Sequence, residues 1–474
     1  MLDAVALAAA IRARQVSCRE VMAAYLDHIE RINPRVNAIV ALQERKGLLT
    51  NAEESDALLQ RGEPAGPLHG FPLAVKDLSP VQGLPLTMGS PIFKDFIAES
   101  DNVMAARMRK AGGIFIGKTN TPEFGLGSHT YNPVHGLTRN AYDQSLSAGG
   151  SSGGGAVAVA LRMLPLADGS DYGGSLRNPA AWNNIFGFRT SIGRVPRDGG
   201  DAWFPSMGVL GPMARNVVDL AMLLDVQAGY DDRVPLSIAG NGTNFQDALN
   251  ADLKGKRIAW VGDFGGHIPY DPKLLALCKS ALKTFEHLGC GVEDAAPEYP
   301  IEPVLAAWQV LRSWQMTGTL VPHYNDPKKR GLLKPEAIFE IERAIKLSAV
   351  DVTAAASVRT AWYQAVRLFF EKYDFIVAPT SQIFPFDATT HWPTEIAGHR
   401  MQSYSEWMSG MAPITMSGCP ALAVPAGFND QGLPAGLQIV GPNRAERSCL
   451  QLAHGYDMAT HWVSRRPPPL LDRH

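Results

Sequence analysis

Residues 145–180 read SLSAGGSSGGGAVAVALRMLPLADGSDYGGSLRNPA and hold two glycine clusters, Gly149–Gly155 and Gly173–Gly174. This composition would also suit a flexible linker. The glycines, however, stand in tight groups on either side of an Ala/Val/Leu segment that is typical of a buried helix. Glycine has no side chain to block an approach and tolerates positive φ, so backbone N–H groups can converge at such clusters. The stretch predicts a site that holds either a phosphate or the oxyanion of an acyl transfer.

The phosphate alternative lacks its usual motifs. No lysine follows the glycines as in GxxxxGK[ST], and no GxGxxG is followed by an acidic residue about 20 positions later. The oxyanion alternative needs a nucleophile and a base. Ser175 follows two glycines and is the candidate nucleophile, whereas none of the twelve histidines is near either cluster. The nearest, His135, lies in a Pro/Gly-flanked loop, where a structural role is expected.

A lysine is the other candidate base. Lys76 ends the apolar segment Phe71–Val75, which predicts a strand that would carry the amine into the interior. Burial disfavours the charged form and lowers the pKa of an amine, so a buried Lys76 could accept a proton. Taken alone, a lysine in this place is more often a solvated strand end.

The rest of the chain alternates short apolar strands with helices and predicts an α/β fold. Ser17 and Glu20 form a capping box that opens a helix, which is expected to end at Pro34. Residues 102–111, 272–288 and about 300–370 are predicted to be helical. The predicted strands cover residues 36–42, 70–75, 113–118, 257–261, 375–378, 421–426 and 436–440.

Composition excludes several classes of protein. The 474 residues are 46% hydrophobic and 19% charged with a net charge of −2, which argues against disorder and leaves no basic surface for nucleic acid. The five cysteines are far apart, as expected for buried free thiols rather than disulfides or a zinc site. The N-terminus lacks a signal-peptide pattern, and the apolar segment 155–167 is broken by Arg162. A cytoplasmic protein without membrane contact is expected.

Four segments occur in one order: PLAVKD (72–77), GKTNTPEF (117–124), GGSSGGG (149–155) and SDYGGSLRNPA (170–180). Together they resemble the amidase signature family of serine hydrolases, in which the two serines are 24 residues apart, as Ser151 and Ser175 are here. GRVP (193–196), GPMAR (211–215) and GLPAGLQIVGP (432–442) extend the resemblance over nearly the whole chain.

The resemblance implies an amidase-signature fold of the α/β class. Its large, mixed and mostly parallel twisted β-sheet is covered by helices on both faces. One amidase domain is expected over residues 1–474, with a signature core at about 65–215. The helical region at about 300–370 is the expected variable segment that shapes the substrate site.

The resemblance also implies a catalytic triad. Ser175 would be the nucleophile, Ser151 would follow a cis peptide bond and bridge to the base, and Lys76 would be that base. The backbone N–H groups of Tyr172, Gly173, Gly174 and Ser175 would form the oxyanion hole. Tyr172 departs from the small or aliphatic residue usual at its position, a change that bears on specificity more than on activity.

Further site residues are carried over in supporting roles. Gly125 corresponds to a family position whose backbone faces the substrate. Asp171 and Arg177 are expected to brace the nucleophile loop, and Ser152 to hydrogen-bond nearby. The implied mechanism needs neither a metal nor an organic cofactor.

The expected function is hydrolysis of carbon–nitrogen bonds other than peptide bonds, in linear amides, through a serine acyl-enzyme. One alternative is the A subunit of a glutamine-dependent aminoacyl-tRNA amidotransferase, although Ala181–Asn184 departs from the Cys-containing stretch usual there. Another is a catalytically silent relative that acts as a binding module. The expected partner is a small-molecule amide, and a homodimer is left open.

Large apolar side chains predict the substrate class. A pocket edged by two or more of them would suit aryl or C4–C8 acyl amides better than acetamide or glutamine. The candidates are Trp203, Phe204, Met207, Trp308, Trp314 and Met316.

Overall fold

The computed structural model describes residues 1–63, 65–204, 207–240, 244–247 and 249–472. The α-helices are α1 Ala4–Arg12, α2 Cys18–Val36, α3 Arg45–Gln60, α4 Val103–Lys110, α5 Gly153–Ala160, α6 Arg177–Trp182, α7 Val217–Gln227, α8 Pro272–Ala281, α9 Lys283–His287, α10 Ile301–Asn325, α11 Pro327–Arg330, α12 Pro335–Ala344, α13 Ala349–Phe369, α14 Ala412–Ser417, α15 Glu446–Thr460 and α16 Trp462–Arg465. The strands are β1 Ile39–Val40, β2 Pro72–Lys76, β3 Ile114–Thr119, β4 Tyr131–Asn132, β5 Gly136–Leu137, β6 Ala167–Asp171, β7 Phe186–Arg189, β8 Val209–Ala214, β9 Arg257–Trp260, β10 Gly291–Asp294, β11 Phe375–Pro379, β12 Glu395–Ile396, β13 His399–Arg400, β14 Ala421–Phe428 and β15 Pro434–Val440.

An eight-stranded sheet, in the order β10-β9-β11-β15-β14-β7-β8-β6, is flanked by helices that include α6, α7, α8 and α15. The predicted α/β fold with a large mixed sheet is therefore confirmed. Pairing along the sheet is more antiparallel than the expected mostly parallel arrangement. Among its described strands, only β10-β9 and β9-β11 are parallel pairs, whereas the other five pairs are antiparallel. Short connections such as the one between β14 and β15 favour antiparallel neighbours.

A smaller sheet, in the order β1-β3-β2, lies against the edge of the large one. Strand β2 contacts the edge strand β6, and helix α5 packs against strands of both sheets. Gly154 makes this close packing possible, because a Cβ at that position would overlap the backbone nitrogen of Asn120. As a result, the last residues of β2 and β6, Lys76 and Asp171, lie at one junction between the two sheets.

Two boundary predictions near the N-terminus are wrong. Helix α2 runs past Pro34 to Val36, because a proline in the last turn has a helical φ and removes only one N–H donor. It ends at Asn37, which is left-handed with φ 53°. The strand expected at 36–42 shrinks to Ile39–Val40, since Asn37 and Ala41 both have positive φ and interrupt the extended backbone.

The apolar core is continuous from Ala4 to Leu470 and includes both sheets and their helices. All five cysteines are buried free thiols, as predicted. In the described part of the chain, no helix is long and apolar enough to span a lipid bilayer.

Candidate active site

The amine of Lys76 is surrounded by serine hydroxyl groups. Its Nζ lies 2.8 Å from Oγ of Ser151, 2.9 Å from Oγ of Ser152 and 2.9 Å from Oγ of Ser170. The backbone N–H of Lys76 donates to Oδ1 of Asp168, which ties the end of β2 to β6. This arrangement fixes the amine within reach of three groups that can exchange a proton with it.

Burial changes the acid–base behaviour of this lysine. All five residues of β2 are buried, and Lys76 itself is 1% exposed. Burial outweighs the attraction of Asp168 and Asp171 and lowers the pKa of Lys76 to about 7. At neutral pH a large fraction of the amine is therefore unprotonated and able to act as a base.

Ser151 follows a cis peptide bond from Gly150, as the family resemblance implied. Gly125 has a positive φ of 70°, and a Cβ built there would lie 3.5 Å from the Ser151 hydroxyl oxygen. The structure thus places Gly125 beside Ser151, facing the same space. The backbone N–H of Ser152 donates to the carbonyl of Ser175 at 3.1 Å, which joins the two serine segments.

The side chain of Ser175 is half-buried at the start of the turn into α6. None of the described residues forms a hydrogen bond with its hydroxyl group. The backbone of the predicted nucleophile is thus bonded to that of Ser152, and its hydroxyl group is left without a hydrogen-bond partner among the described residues.

A buried ion-pair network braces the loop that carries Ser175. Asp171 and Arg177 are both 0% exposed, with Nε and Nη2 of Arg177 each 3.0 Å from a different carboxylate oxygen. Arg189 adds a contact of 3.2 Å to the same carboxylate and donates to the backbone carbonyl of Asp171. Burial alone would raise the pKa of Asp171, but the two guanidinium groups outweigh it and hold that pKa below its ordinary value.

The backbone N–H groups of the loop differ in their partners. The N–H of Gly174 donates to Oδ1 of Asp171 at 3.0 Å. No described residue accepts a hydrogen bond from the N–H of Tyr172, Gly173 or Ser175. Three of the four predicted oxyanion donors are therefore open, whereas the fourth stabilises the loop itself.

A small cavity borders this loop at Gly173. Apolar side chains and uncharged polar side chains form its wall, and none of the described lining residues is charged. The lining residues are Ser128, Gly173, Asn178, Thr380, Ser381, Gln382, Trp407, Met408, Gly410 and Met411.

Of the large apolar residues expected to edge the substrate pocket, Trp308 lies against the nucleophile loop. Its Cζ2 atom would be 3.1 Å from a Cβ on Gly173. Trp203 and Phe204 are 72% and 61% exposed, and Phe204 packs edge-to-face on Trp314. None of the six candidates lines the cavity beside Gly173.

Met207 is fully buried, and Met316 packs in a separate apolar cluster with Leu126. The cavity is lined instead by Trp407, Met408 and Met411. Their segment 405–411 follows two short strands, and its position could not be read from local sequence patterns.

Other residues missed by the sequence analysis belong to the support of the site. Ser170 contacts the Lys76 amine, and Arg189 shares the Asp171 carboxylate. The phenol of Tyr172 donates to Gln315 at 2.6 Å, and the guanidinium of Arg312 lies 5.6 Å from its ring. The helical region 301–325 therefore contacts the loop directly. Only Ser170, which is adjacent to the DxGGS segment, gave a sequence signal.

The family model, the similar sequences and the similar structures all point to the amidase family. A family model described as Amidase matches residues 20–450. An acylamidase of Rhodococcus erythropolis is 35% identical over 479 residues, which cover 99% of this chain and 98% of the relative. The A subunit of the glutamyl-tRNA(Gln) amidotransferase of Acidothermus cellulolyticus is 37% identical over 94% of this chain and 91% of the relative. The crystal structure of a bacterial aryl acylamidase of the amidase signature family superposes with a TM-score of 0.92 at 29% identity, covering 100% of this chain and 99% of that one.

Proposed function

This chain belongs to the amidase signature family, and we propose that it hydrolyses linear carboxylic amides through an acyl-enzyme on Ser175. The observation that carries the proposal is the contact of 2.8 Å between the Lys76 amine and the Ser151 hydroxyl, in a buried place that lowers the lysine pKa to about 7. A structural lysine would be more stable charged and paired with a carboxylate. An amine held neutral among hydroxyl groups is suited to accept a proton.

The first half of the reaction forms the acyl-enzyme. Neutral Lys76 takes the proton of Ser151, and Ser151 takes the proton of Ser175. The Ser175 oxygen attacks the amide carbon, and the carbonyl electrons move onto oxygen. The open N–H groups of Tyr172, Gly173 and Ser175 stabilise that oxyanion; each such donor typically contributes about 3 kcal/mol.

The second half releases the products. The oxyanion collapses, the C–N bond breaks, and the leaving nitrogen receives its proton through Ser151 from Lys76. Water then loses a proton to the same relay and attacks the ester, which frees the acid and restores Ser175. No step requires a metal or an organic cofactor, so a chelator is expected to leave the rate unchanged.

The proposed substrates are apolar, with aryl or medium-chain groups. The cavity beside Gly173 has a volume of only about 10 Å³, room for about one water-sized group, and its wall next to the nucleophile loop is formed by Trp407, Met408 and Met411 with no charged lining residue among those described. The similarity to the crystal structure of an aryl acylamidase supports the aryl part of this proposal.

A second candidate function is that of an amidotransferase A subunit, because a relative of that name is 37% identical over 94% of this chain. Such a protein would have to bind glutamine, which carries both a carboxylate and an ammonium group. The small cavity beside Gly173 is lined by uncharged side chains, whereas the guanidinium of the buried Arg312 lies 5.6 Å from the ring of Tyr172 on the same loop, so the substrate test below separates the two functions.

The test is the hydrolysis rate of the purified single chain on four substrates: an acyl anilide, hexanamide, acetamide and glutamine. The Ser175→Ala variant serves as the blank. We expect the anilide or hexanamide to have the highest kcat/KM. Glutamine as the best substrate would support the amidotransferase function, and no turnover of any amide would contradict an amide hydrolase.

A further inference from the structure

The side chain of Asn178 lies in the wall of the cavity beside Gly173 and is 3% exposed. Its NH2 group donates to the hydroxyl oxygen of Ser128, and that hydroxyl donates to the carbonyl oxygen of Gly150 at 2.7 Å. Gly150 is joined to Ser151 by the cis peptide bond. The amide of Asn178 is thus one end of a short hydrogen-bonded chain that holds the Ser151 peptide.

The chemistry of this chain fixes the orientation of the Asn178 amide. A carbonyl oxygen such as that of Gly150 can only accept, so the single hydroxyl hydrogen of Ser128 points to it. The Ser128 oxygen can then only accept from Asn178, which must present its nitrogen. The other amide atom, Oδ1, is buried and has no hydrogen-bond partner among the described residues.

The other hydroxyl and amide side chains of the cavity are satisfied. The hydroxyl groups of Thr380 and Ser381 donate to backbone carbonyl oxygens at 2.8 and 2.9 Å. The amide of Gln382 donates to a carbonyl at 2.8 Å and accepts from the N–H of Gly410 at 2.9 Å. Among the described lining residues, the cavity therefore contains one unused acceptor, and a buried acceptor without a donor is unfavourable.

We propose that Asn178 is a specificity-determining residue, whose Oδ1 accepts a hydrogen bond from an N–H or O–H group of the substrate. The inference rests on the proposed amidase function and narrows it. Preferred substrates would be amides with a donor close to the scissile carbonyl, either the N–H of the leaving amine or a donor on the acyl chain. A substrate of the same shape without that donor leaves Oδ1 unpaired and is rejected.

Two matched substrate pairs distinguish the two sources of the donor. An acyl anilide and its N-methyl anilide differ in the N–H of the leaving group, and 2-hydroxybutyramide and butyramide differ in a donor on the acyl chain. The wild-type enzyme should favour the donor-bearing member of one pair by about ten-fold or more in kcat/KM. In Asn178→Leu, which keeps the bulk of the side chain, that ratio should fall at least ten-fold.

Thr380→Val is the matched control. It removes a hydroxyl of the same cavity wall that already donates to the Gly436 carbonyl, and it leaves both the Asn178 acceptor and the Ser128 hydroxyl that orients it. It should therefore change the rates of both members alike and retain the ratio. An equal loss on both members of each pair in Asn178→Leu would overturn the proposal and assign Asn178 a structural role. If thermal unfolding shows that Asn178→Leu does not fold, the same ratios of kcat/KM are measured for Asn178→Ala, with the same expected outcomes.

Measurements on the wild-type enzyme alone also test the role of Asn178. Equal kcat/KM for both members of both pairs would overturn the role of Asn178 while leaving the amidase function standing. A wild-type enzyme that hydrolyses none of the four amides would instead contradict the proposed function.

Discussion

The amine of Lys76 lies 2.8 Å from the hydroxyl oxygen of Ser151, and the two residues are only 1% and 2% exposed. The acidic residues Asp168 and Asp171 attract the charged form, yet burial outweighs them. Asp168 accepts from the Lys76 backbone, and the Asp171 carboxylate is paired with two arginines. Neither carboxylate forms an ion pair with the Lys76 amine, and burial keeps the amine available as a base.

Removal of either end of the relay should abolish turnover. We expect Lys76→Ala and Ser175→Ala each to lower kcat by several orders of magnitude, because neither proton transfer nor attack can proceed without them. Residues that act as one unit show strongly non-additive losses, so the double variant should be little slower than either single variant. Ser151→Ala is expected to keep some residual turnover. Steady-state kinetics on the preferred anilide would check each rate.

Lys118 offers a control for the effect of removing a buried lysine. It lies on the neighbouring strand β3, and burial lowers its pKa to about 8. Its amine donates to the backbone carbonyl of Ser79 and not to the hydroxyl groups that surround Lys76. Lys118→Met should therefore change stability more than kcat. Near-normal kcat in folded Ser175→Ala would contradict the nucleophile assignment.

The rate should depend on pH through Lys76. The unprotonated amine is the reactive form, and its pKa of about 7 places the midpoint of the rise in kcat/KM near neutrality. The rate should be low at pH 5, half-maximal near pH 7 and level above about pH 8. A pH–rate profile over pH 5–9 tests this expectation, and a rate that is highest in acid and falls by pH 7 would indicate a carboxylate base instead.

The same lysine should make stability depend on pH. In the unfolded chain its pKa is near the ordinary 10.5, and in the folded protein it is about 7. Between these values the unfolded state binds one more proton, so the stability of the wild-type protein rises with pH across that window. Below pH 7 the lysine is charged in both states, and the full cost of burying the charge is present.

Lys76→Met removes this titration. We expect the free energy of unfolding of Lys76→Met, minus that of the wild-type protein, to be largest at pH 6–7 and to shrink steadily toward pH 10. Urea denaturation at a series of pH values measures this difference. A difference that is constant with pH would show that Lys76 has the same pKa in both states.

The parts of the site that could be predicted from the sequence are those carried by short contiguous motifs. Lys76, Ser151 and Gly125 could be placed together because each belongs to a segment with a distinctive order of residues, and the structure brings them into contact. Strand β2 was predictable for a similar reason, since its apolar run is local.

The parts that could not be predicted depend on contacts distant in sequence. Ser170 reaches Lys76 only because β6 lies against β2, and Trp407 reaches the cavity beside Gly173 from more than 200 residues away. The interrupted strand at 36–42 was missed for another reason. The apolar run of this segment is typical of a strand, but the left-handed residues Asn37 and Ala41 interrupt the extended backbone. The sequence does not indicate that an alanine will adopt a positive φ.

The nucleophile loop should tolerate no side chain at Gly174. This residue has φ 104°, which L residues rarely adopt, and a Cβ there would lie 2.7 Å from Cγ of Met411. Gly174→Ala should shift the loop, misalign the neighbouring N–H groups and lower kcat by roughly a hundred-fold or more. Steady-state kinetics together with thermal unfolding would separate the catalytic loss from the loss of stability.

Gly255→Ala is the matched control for Gly174→Ala, because Gly255 also has a positive φ, 78°, but no described atom lies within 4 Å of its added Cβ. It should show only the cost of the strained backbone, about 1–2 kcal/mol, with kcat unchanged. Combining Gly174→Ala with Met411→Ala removes the overlap but not the strain in φ, so activity should recover in part. Full activity of the single Gly174→Ala variant would show that the loop geometry is not required for oxyanion stabilisation.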